Sequence, residues 1–374
     1  MRVALLTTFH QRDGLATYAE SLVDAVRAAG DEVVVLAPRL TGGDAAIGDQ
    51  PPRLWGARHA SIAEAFATAR AIAASGADLV HLNVNLSLFS ARFLLAIRAV
   101  LRARGTPTIV TLHCRQGGWP ARRFKVWRVQ RAFAGLDVVV HTEAHAAELH
   151  AAGHRRVHVI PHGVPALNAL PMDVARARLG LDLDRPVLTH FGFLFPHKGV
   201  LEVLHAMAKL RARGFPRLFY WISGAVYRTR ESQRYFRRIR RAIDELGLAG
   251  DVHLSGEFVS EGEAMLAMQA ATWVVLNYLH GSAQGASGAV TRALASGRPV
   301  AVSPSPFFDD VRDATHTLVG DLETALAHAL TDDALAQRAQ SGAARRCAEA
   351  SWSTTAERYR RLYRAVASAT ARSG

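Results

Sequence analysis

The sequence predicts an α/β protein built from two doubly wound parallel sheets, each covered by helices on both faces. Three observations carry that expectation. Short continuous apolar runs alternate with segments of helical spacing, the pattern of strands buried on both sides. The alternation breaks at Pro161-His-Gly-Val-Pro165 and restarts at Pro186. At 374 residues the chain is also longer than one hydrophobic core usually serves.

The first unit reads in order as strand Val3–Thr8, helix Thr17–Ala29, strand Glu32–Ala37, helix Ser61–Ala74 and strand Leu79–Asn83. Helix Ala91–Arg104, strand Thr108–Leu112, helix Arg122–Ala134, strand Val138–His141, helix Glu143–Ala152 and strand Val157–Ile160 follow. A short connecting helix, Val174–Leu179, leads to the second unit. There, strand Pro186–Gly192, helix Val200–Arg213, strand Leu218–Ser223 and a strongly basic helix Ser232–Leu246 come first. Strand Val252–Ser255, helix Glu261–Gln269, strand Trp273–Leu276, helix Ala289–Ala295 and strand Pro299–Val302 complete it. An Arg-rich helix, Ser353–Val366, closes the chain. The expected domains are residues 1–165 with the terminal helix 353–374, and residues 166–352. Two such units bind ligands where strand C-termini face each other across a cleft.

Composition narrows the class. The chain is 49% apolar and 21% charged, which excludes a disordered or low-complexity protein. No run reaches the ~18 apolar residues of a membrane span. The first residues, Met1 to His10, read as a strand rather than a secretory leader. Two cysteines, Cys114 and Cys347, make no disulfide framework and suit a reducing cytoplasm.

The net charge of +13 is nearly all arginine, since Lys125, Lys198 and Lys209 are the only lysines. Between Asp78 and Asp137 there is no acidic residue, while ten basic ones fall between Arg92 and Arg131, among them Arg115, Arg122, Arg123 and Lys125. A patch of one sign attracts anions such as lipid head groups, nucleic acid or a phosphorylated substrate, or is simply a solvated surface. Tyr227, Tyr235 and Phe236 interleave with seven arginines from Arg228 to Arg241, but no recognised nucleic-acid motif accompanies them, and nucleic acid is not the expected partner. The histidine pairs His141/His145 and His150/His154 have i,i+4 spacing, but no cysteine or carboxylate set completes a metal site.

Four stretches carry chemistry. In His280–Val300, a strand ending at Tyr278 gives way to a Gly/Ser loop and a helix starting near Gly288. Unpaired amides at such a helix start make a cradle for a diphosphate. In Phe191-Gly-Phe-Leu-Phe-Pro-His-Lys198-Gly199, a strand end, a glycine turn and a helix start recur. The compact ammonium of Lys198 suits a departing diphosphate. Asp13-Gly14 follows the first strand and opens the first helix, whose dipole is directed to the strand ends. His113 ends strand Thr108–Leu112.

In this order the motifs resemble the GT-B glycosyltransferases, specifically the retaining nucleotide-sugar enzymes of family 4, over nearly the whole chain. Asp13 to Leu22 resembles the family's glycine turn and first helix. Val157-His-Val-Ile-Pro-His-Gly-Val164 resembles its Ile-Pro-Asn-Gly-Val segment, and Gly192 to Gly199 its phosphate loop. Val252 to Phe258, with Gly256, resembles the loop that seats the nucleobase. Gln284 to Val300 aligns without a gap on the acidic motif, and Ser351-Trp-Ser resembles the start of a helix that crosses back to the first domain.

The resemblance implies transfer of a sugar from a UDP- or GDP-sugar to an acceptor hydroxyl, with retention and without a metal or other cofactor. The second domain would hold the donor, through Gly14 of the first domain and through Gly192, Lys198, Gly199, Gly256, Phe258, Tyr278, Gln284, Gly285, Ser287, Gly288, Ala289 and Arg292. Lys198, His113 and Gln284 would act at the reacting sugar. The first domain would take a sugar or lipid-linked acceptor, with the basic stretch against anionic lipid at the inner face of the cell membrane. Polysaccharide, glycolipid or glycoside assembly would be the setting.

Three positions depart from the family. Its two glutamates, the first touching the donor sugar and the second the ribose hydroxyls, fall on Gln284 and Arg292, and the phosphate-loop arginine falls on Phe193. Two alternatives follow: an inactive scaffold of the same fold, or a sugar-nucleotide epimerase, which would want acidic groups where Gln284 and Arg292 stand.

Overall fold

A computed structural model describes residues 1–40, 48–56, 60–85, 89–113, 132–279 and 287–372. The chain divides into two units at Gly163/Val164, and the terminal segment from Trp352 belongs to the first. The basic stretch from Arg115 to Arg131, helix Arg122–Ala134 up to that point, and Cys114, Gln284 and Gly285 lie outside the described residues.

The first unit holds strands β1 (Arg2–Leu6), β2 (Glu32–Arg39), β3 (Arg53–Gly56), β4 (Leu79–Val84), β5 (Thr108–Leu112), β6 (Asp137–Val140) and β7 (Val157–Val159). They form one parallel sheet in the order β3-β2-β1-β4-β5-β6-β7. Its described helices are α1 (Gly14–Ala28), α2 (Ile62–Ala74), α3 (Ala91–Ala103) and α4 (Glu143–Ala151). Asp13, Ser61, Ser90 and Thr142 each accept a backbone N–H at the start of one of them, satisfying a donor that the first turn leaves free.

The second unit holds β8 (Val187–Phe193), β9 (Phe219–Ala225), β10 (Val252–Gly256), β11 (Trp273–Leu276), β12 (Val300–Val302) and β13 (His316–Thr317). Their order is β10-β9-β8-β11-β12-β13, again parallel. The helices are α5 (Met172–Arg178), α6 (Val200–Ala212), α7 (Arg230–Glu245), α8 (Glu261–Gln269), α9 (Gly288–Ala295), α10 (Leu322–Thr331) and α11 (Asp333–Glu349). Both sheets therefore carry the doubly wound strand order, whose direction reverses beside the first strand of each. Ligands of such sheets sit at the C-terminal ends of the strands flanking that reversal. In the second unit those strands are β8 and β11.

The last helix, α12 (Trp352–Ala371), joins the first unit because its apolar stripe matches a face there. Ala356, Tyr359, Tyr363 and Val366 are buried with Val3, Leu5, Tyr18 and Leu22. A belt of hydroxyls adds direction. Tyr359 Oη lies 3.0 Å from Tyr18 Oη and 2.9 Å from Thr111 Oγ1. Tyr363 Oη lies 2.9 Å from His81 Nδ1, and His81 Nε2 lies 2.8 Å from Thr111 Oγ1. Arg360 pairs with Asp31, which also holds the N-terminal ammonium at 3.1 Å. Gly163 is required at the join, since a Cβ there would sit 2.4 Å from the Trp352 ring.

Four elements escaped sequence reading: β3, β13 and the helices α10 and α11. Strand β3 is four residues behind Pro51-Pro52, held by Trp55 stacking on Phe93 with ring centres 5.1 Å apart. Among the described residues no helix is long and apolar enough to cross a membrane. The hydroxyl belt is testable. Tyr359→Phe leaves two buried hydroxyls short of a partner, which costs about 1–3 kcal/mol. Urea unfolding should show a loss in that range, and a loss below about 0.5 kcal/mol would mean that the belt adds nothing to apolar packing.

Candidate functional site

The second unit builds its site from close backbone approach. After β8 the chain makes a tight turn, Pro196–Lys198, and passes through Gly199 in the left-handed conformation with φ 62°. A Cβ at Gly199 would lie 2.0 Å from the Asn277 carbonyl oxygen, so no other residue fits without moving backbone. Leu279 N–H donates to the His197 carbonyl at 2.8 Å, tying the two loops edge to edge.

That contact places Lys198 Nζ over the Tyr278 ring, 3.6 Å from its centre. Tyr278 is buried, its hydroxyl 3.0 Å from Ser287 Oγ, and its carbonyl accepts from Ser303 Oγ at 2.7 Å. Ser287 precedes α9 but makes no side-chain cap, because its hydroxyl is spent on Tyr278. Among the described residues the first amides of α9 are thus left without a side-chain acceptor at the strand reversal. Gly192, with φ 130°, brings β8 alongside: a Cβ there would sit 3.9 Å from Ala289 Cβ. So Gly192, Lys198, Gly199, Tyr278, Ser287, Gly288 and Ala289 converge at the ends of β8 and β11, offering one cation and a helix start to an anion.

The remaining residues of this unit make three further sets of contacts. Phe193 packs edge-on against Tyr227 at 5.0 Å between ring centres and lies 6.1 Å from Phe258, which is 44% exposed. Gly256 is left-handed at φ 67°, and a Cβ there would meet the Phe236 ring at 2.6 Å. Arg292 Nε donates to Glu261 Oε1 at 3.1 Å, and Nη1 to the Gly288 carbonyl at 3.4 Å. The aromatics that interleave with arginine in α7 face inward: Tyr235 is 2% exposed and accepts from Leu201 N–H.

Burial, helped by the Lys198 charge, pushes His190 down to about 3 and His197 down to about 4. Both are therefore neutral near pH 7. His190, on β8, was not singled out from the sequence.

The first unit gathers a different set. Asp13 caps α1, accepting from Ala16 N–H at 2.7 Å, Thr8 Oγ1 at 3.0 Å and Gln11 Nε2 at 2.7 Å. Its carboxylate already sits where an anion would meet that helix start, while a Cβ at Gly14 would have nothing within 4 Å. Gly14 thus marks open space beside α1.

His113 has both ring nitrogens engaged. Nε2 lies 2.6 Å from Asn83 Oδ1, and Nδ1 lies 3.2 Å from His141 Nε2. His141 Nδ1 donates to the Ile160 carbonyl at 2.9 Å, so its Nε2 is a lone pair in the neutral ring. His113 must then donate from Nδ1, and its Nε2 becomes an acceptor that calls for the Asn83 amide N–H₂. Turned that way, Asn83 accepts from Thr7 Oγ1, 3.0 Å along the same chain. A single directed run of bonds results: Thr7, Asn83, His113, His141, Ile160. Tyr18 touches His113, His141 and His162, at 4.4, 5.2 and 4.9 Å between ring centres. The i,i+4 pairs of the sequence are used otherwise, with His150 Nδ1 bonded to its own turn at the His154 carbonyl. Among the described residues no group of three His, Cys, Asp or Glu has metal-holding geometry.

Two doubly wound parallel sheets of this order are the architecture of the GT-B fold. Residues 12–166 match the family model for Glycosyltransferase Family 4, and residues 172–346 that for Glycosyl transferases group 1. Between them the two models take in most of the chain, which belongs to these glycosyltransferases. Similar folds occur in sucrose-phosphate synthase from Thermosynechococcus elongatus (TM-score 0.77, 19% identity, 99% of this chain and 100% of that one). HepE from Anabaena, solved with UDP and glucose, gives TM-score 0.74 and 15% identity over 98% of this chain and 100% of that one. The trehalose-phosphate synthase of Burkholderia vietnamiensis gives 0.73 and 13% over 99% of both chains. No curated protein matches the sequence.

The histidine run has a pH signature. Burial pushes His141 down to about 4, whereas an unfolded histidine takes up its proton near 6.5. Between those values the unfolded chain binds more protons, so stability is complete above pH 6.5 and falls as pH falls towards 4. The His141 share is about 2–3 kcal/mol. Urea unfolding at pH 7 and pH 4.5 should therefore show an acid loss smaller by about that amount in His141→Leu, and equal losses would refute the assignment.

Proposed function

We propose that this glycosyltransferase moves a sugar from a UDP- or GDP-sugar to an acceptor hydroxyl with retention, without a metal or other cofactor. The observation that carries the reading is the left-handed Gly199 turn, which sets Lys198 over Tyr278 and, through Tyr278, beside Ser287 at the start of α9. A diphosphate fits that arrangement: its charge meets one ammonium and the amides of Ser287 and Gly288. The UDP bound by HepE supports the same donor class.

On this reading the bond from the anomeric carbon to the diphosphate oxygen breaks, and the electron pair leaves with the diphosphate. The acceptor oxygen bonds to the same face of the sugar, and its proton passes to the departing phosphate oxygen. Lys198 moves from the Tyr278 face to the diphosphate and stabilises the charge that grows there. Gln284 is assigned to sugar hydroxyls. His113, held by Asn83 and His141, supplies a fixed neutral ring at its strand end for the sugar or acceptor. The acceptor is a sugar or lipid-linked molecule, and the basic stretch containing Arg115, Arg122, Arg123 and Lys125 docks the chain on the anionic inner face of the cell membrane. This places the protein in the cytoplasm and in cell-surface polysaccharide, glycolipid or glycoside assembly.

Phe193 supports a second reading. An apolar ring stands where the family places a cation, and the ring is packed on Tyr227 rather than free. An inactive scaffold would bind nucleotide without turning it over.

One assay separates the two. A panel of UDP- and GDP-sugars, with EDTA present, is scored for release of the nucleoside diphosphate. The transferase reading expects slow release from one donor and a loss of about 10²-fold or more in Lys198→Ala. Nucleotide binding by calorimetry with no release, even with acceptors supplied, would favour the scaffold.

A further inference from the structure

Arg292 stands on α9 one turn from Ser287, and a guanidinium has no lone pair to offer a hydroxyl. It does bring a carboxylate with it. Arg292 is 14% exposed at its side chain and donates from Nε to Glu261 Oε1 at 3.1 Å, while the Glu261 side chain is 64% exposed. Glu261 opens α8 but takes no part in capping it: Ser260 and Glu263 close that capping box between themselves. Among the described residues Arg292 is its one hydrogen-bond partner, through Oε1. The result is an open carboxylate, aimed by a half-sheltered arginine, next to the helix start assigned above to the diphosphate. In doubly wound sheets a carboxylate near the phosphate-binding helix recognises the ribose diol, and its bonds to hydroxyls are charge-assisted.

We propose that Glu261, braced by Arg292, accepts a hydrogen bond from the ribose 2′-hydroxyl of the bound nucleoside diphosphate and sets the preference for ribose over deoxyribose. Arg292 is the positioning residue: it holds one carboxylate oxygen so that the other meets the sugar. The carboxylate thus comes from the start of α8 instead of from α9 itself. Phe258, three residues earlier in the same loop and 44% exposed, adds an open ring to this end of the unit. The inference rests on the nucleotide reading of the preceding section.

Calorimetry with UDP against 2′-deoxy-UDP, and GDP against 2′-deoxy-GDP, tests it. The native chain should favour the ribonucleotide by about tenfold or more. Glu261→Ala should bring that ratio close to one while leaving deoxynucleotide affinity within about twofold, and Arg292→Leu should lower the ratio part of the way. The double variant Glu261→Ala with Arg292→Glu returns a carboxylate to the same place and should restore discrimination. Equal weakening of ribo- and deoxynucleotide in Glu261→Ala, or an unchanged ratio, overturns the proposal while nucleotide binding stands. Failure of the native chain to bind any of the four overturns the nucleotide reading itself.

Discussion

The second unit depends on one steric fact: at Gly199 the chain runs so close to the Asn277 carbonyl that a side chain cannot exist there. Everything useful at the strand reversal follows from that approach. It brings the loop after β8 against the loop after β11, lays Lys198 on Tyr278, and spends the Ser287 hydroxyl on the tyrosine. A helix start with no side-chain cap is a poor structural choice but a ready anion site, and the uncapped amides of α9 are the exchange. The left-handed glycine is thus the part of the loop after β8 that can least be varied.

The first unit solves a different problem. Its strand ends gather neutral rings instead of charge, and the Ile160 carbonyl, which can only accept, fixes every proton along the run back to Thr7. Burial keeps those histidines neutral, and a charged ring at His113 would face other imidazoles. The helix α12 locks the same sheet from behind through Tyr359 and Tyr363. The unit is therefore stiff where it presents His113, and both nitrogens of that ring are committed. Any contact with a ligand through them exchanges one bond of the run for another.

Much of this was legible in the sequence, for physical reasons that differ by element. Buried parallel strands such as Thr108–Leu112 and Trp273–Leu276 read correctly to the residue because an uninterrupted apolar run between turn residues has few other meanings. Two of the four edge strands did not: β3 and β13 are four and two residues long and lack a run to recognise. The glycine–lysine turn was visible because Gly and a rare lysine stand together. The partners of His113 were not, since Asn83 and His141 come from different strands and only the fold brings them to one ring. Glu261 was equally hidden. It looks like one more acid at a helix start, and only its pairing with Arg292, 31 residues away, gives it a distinct place.

The departures from the family pattern make more sense together than singly. Losing the phosphate-loop arginine at Phe193 removes a cation from the diphosphate, which alone would weaken the stabilisation of the leaving group. In the sequence the family's first glutamate is replaced by Gln284, and Arg292 replaces the second with a cation that pairs with Glu261. The local balance of charge therefore does not become more negative. On the reading proposed above, Lys198 would meet the diphosphate with fewer competing carboxylates than the family pattern supplies, and its field would act more strongly there. Phe193, packed against Tyr227 and near Phe258, makes that side of the loop apolar. On the proposed reading, one lysine beside an apolar wall would have to do the work that the family divides between two cations.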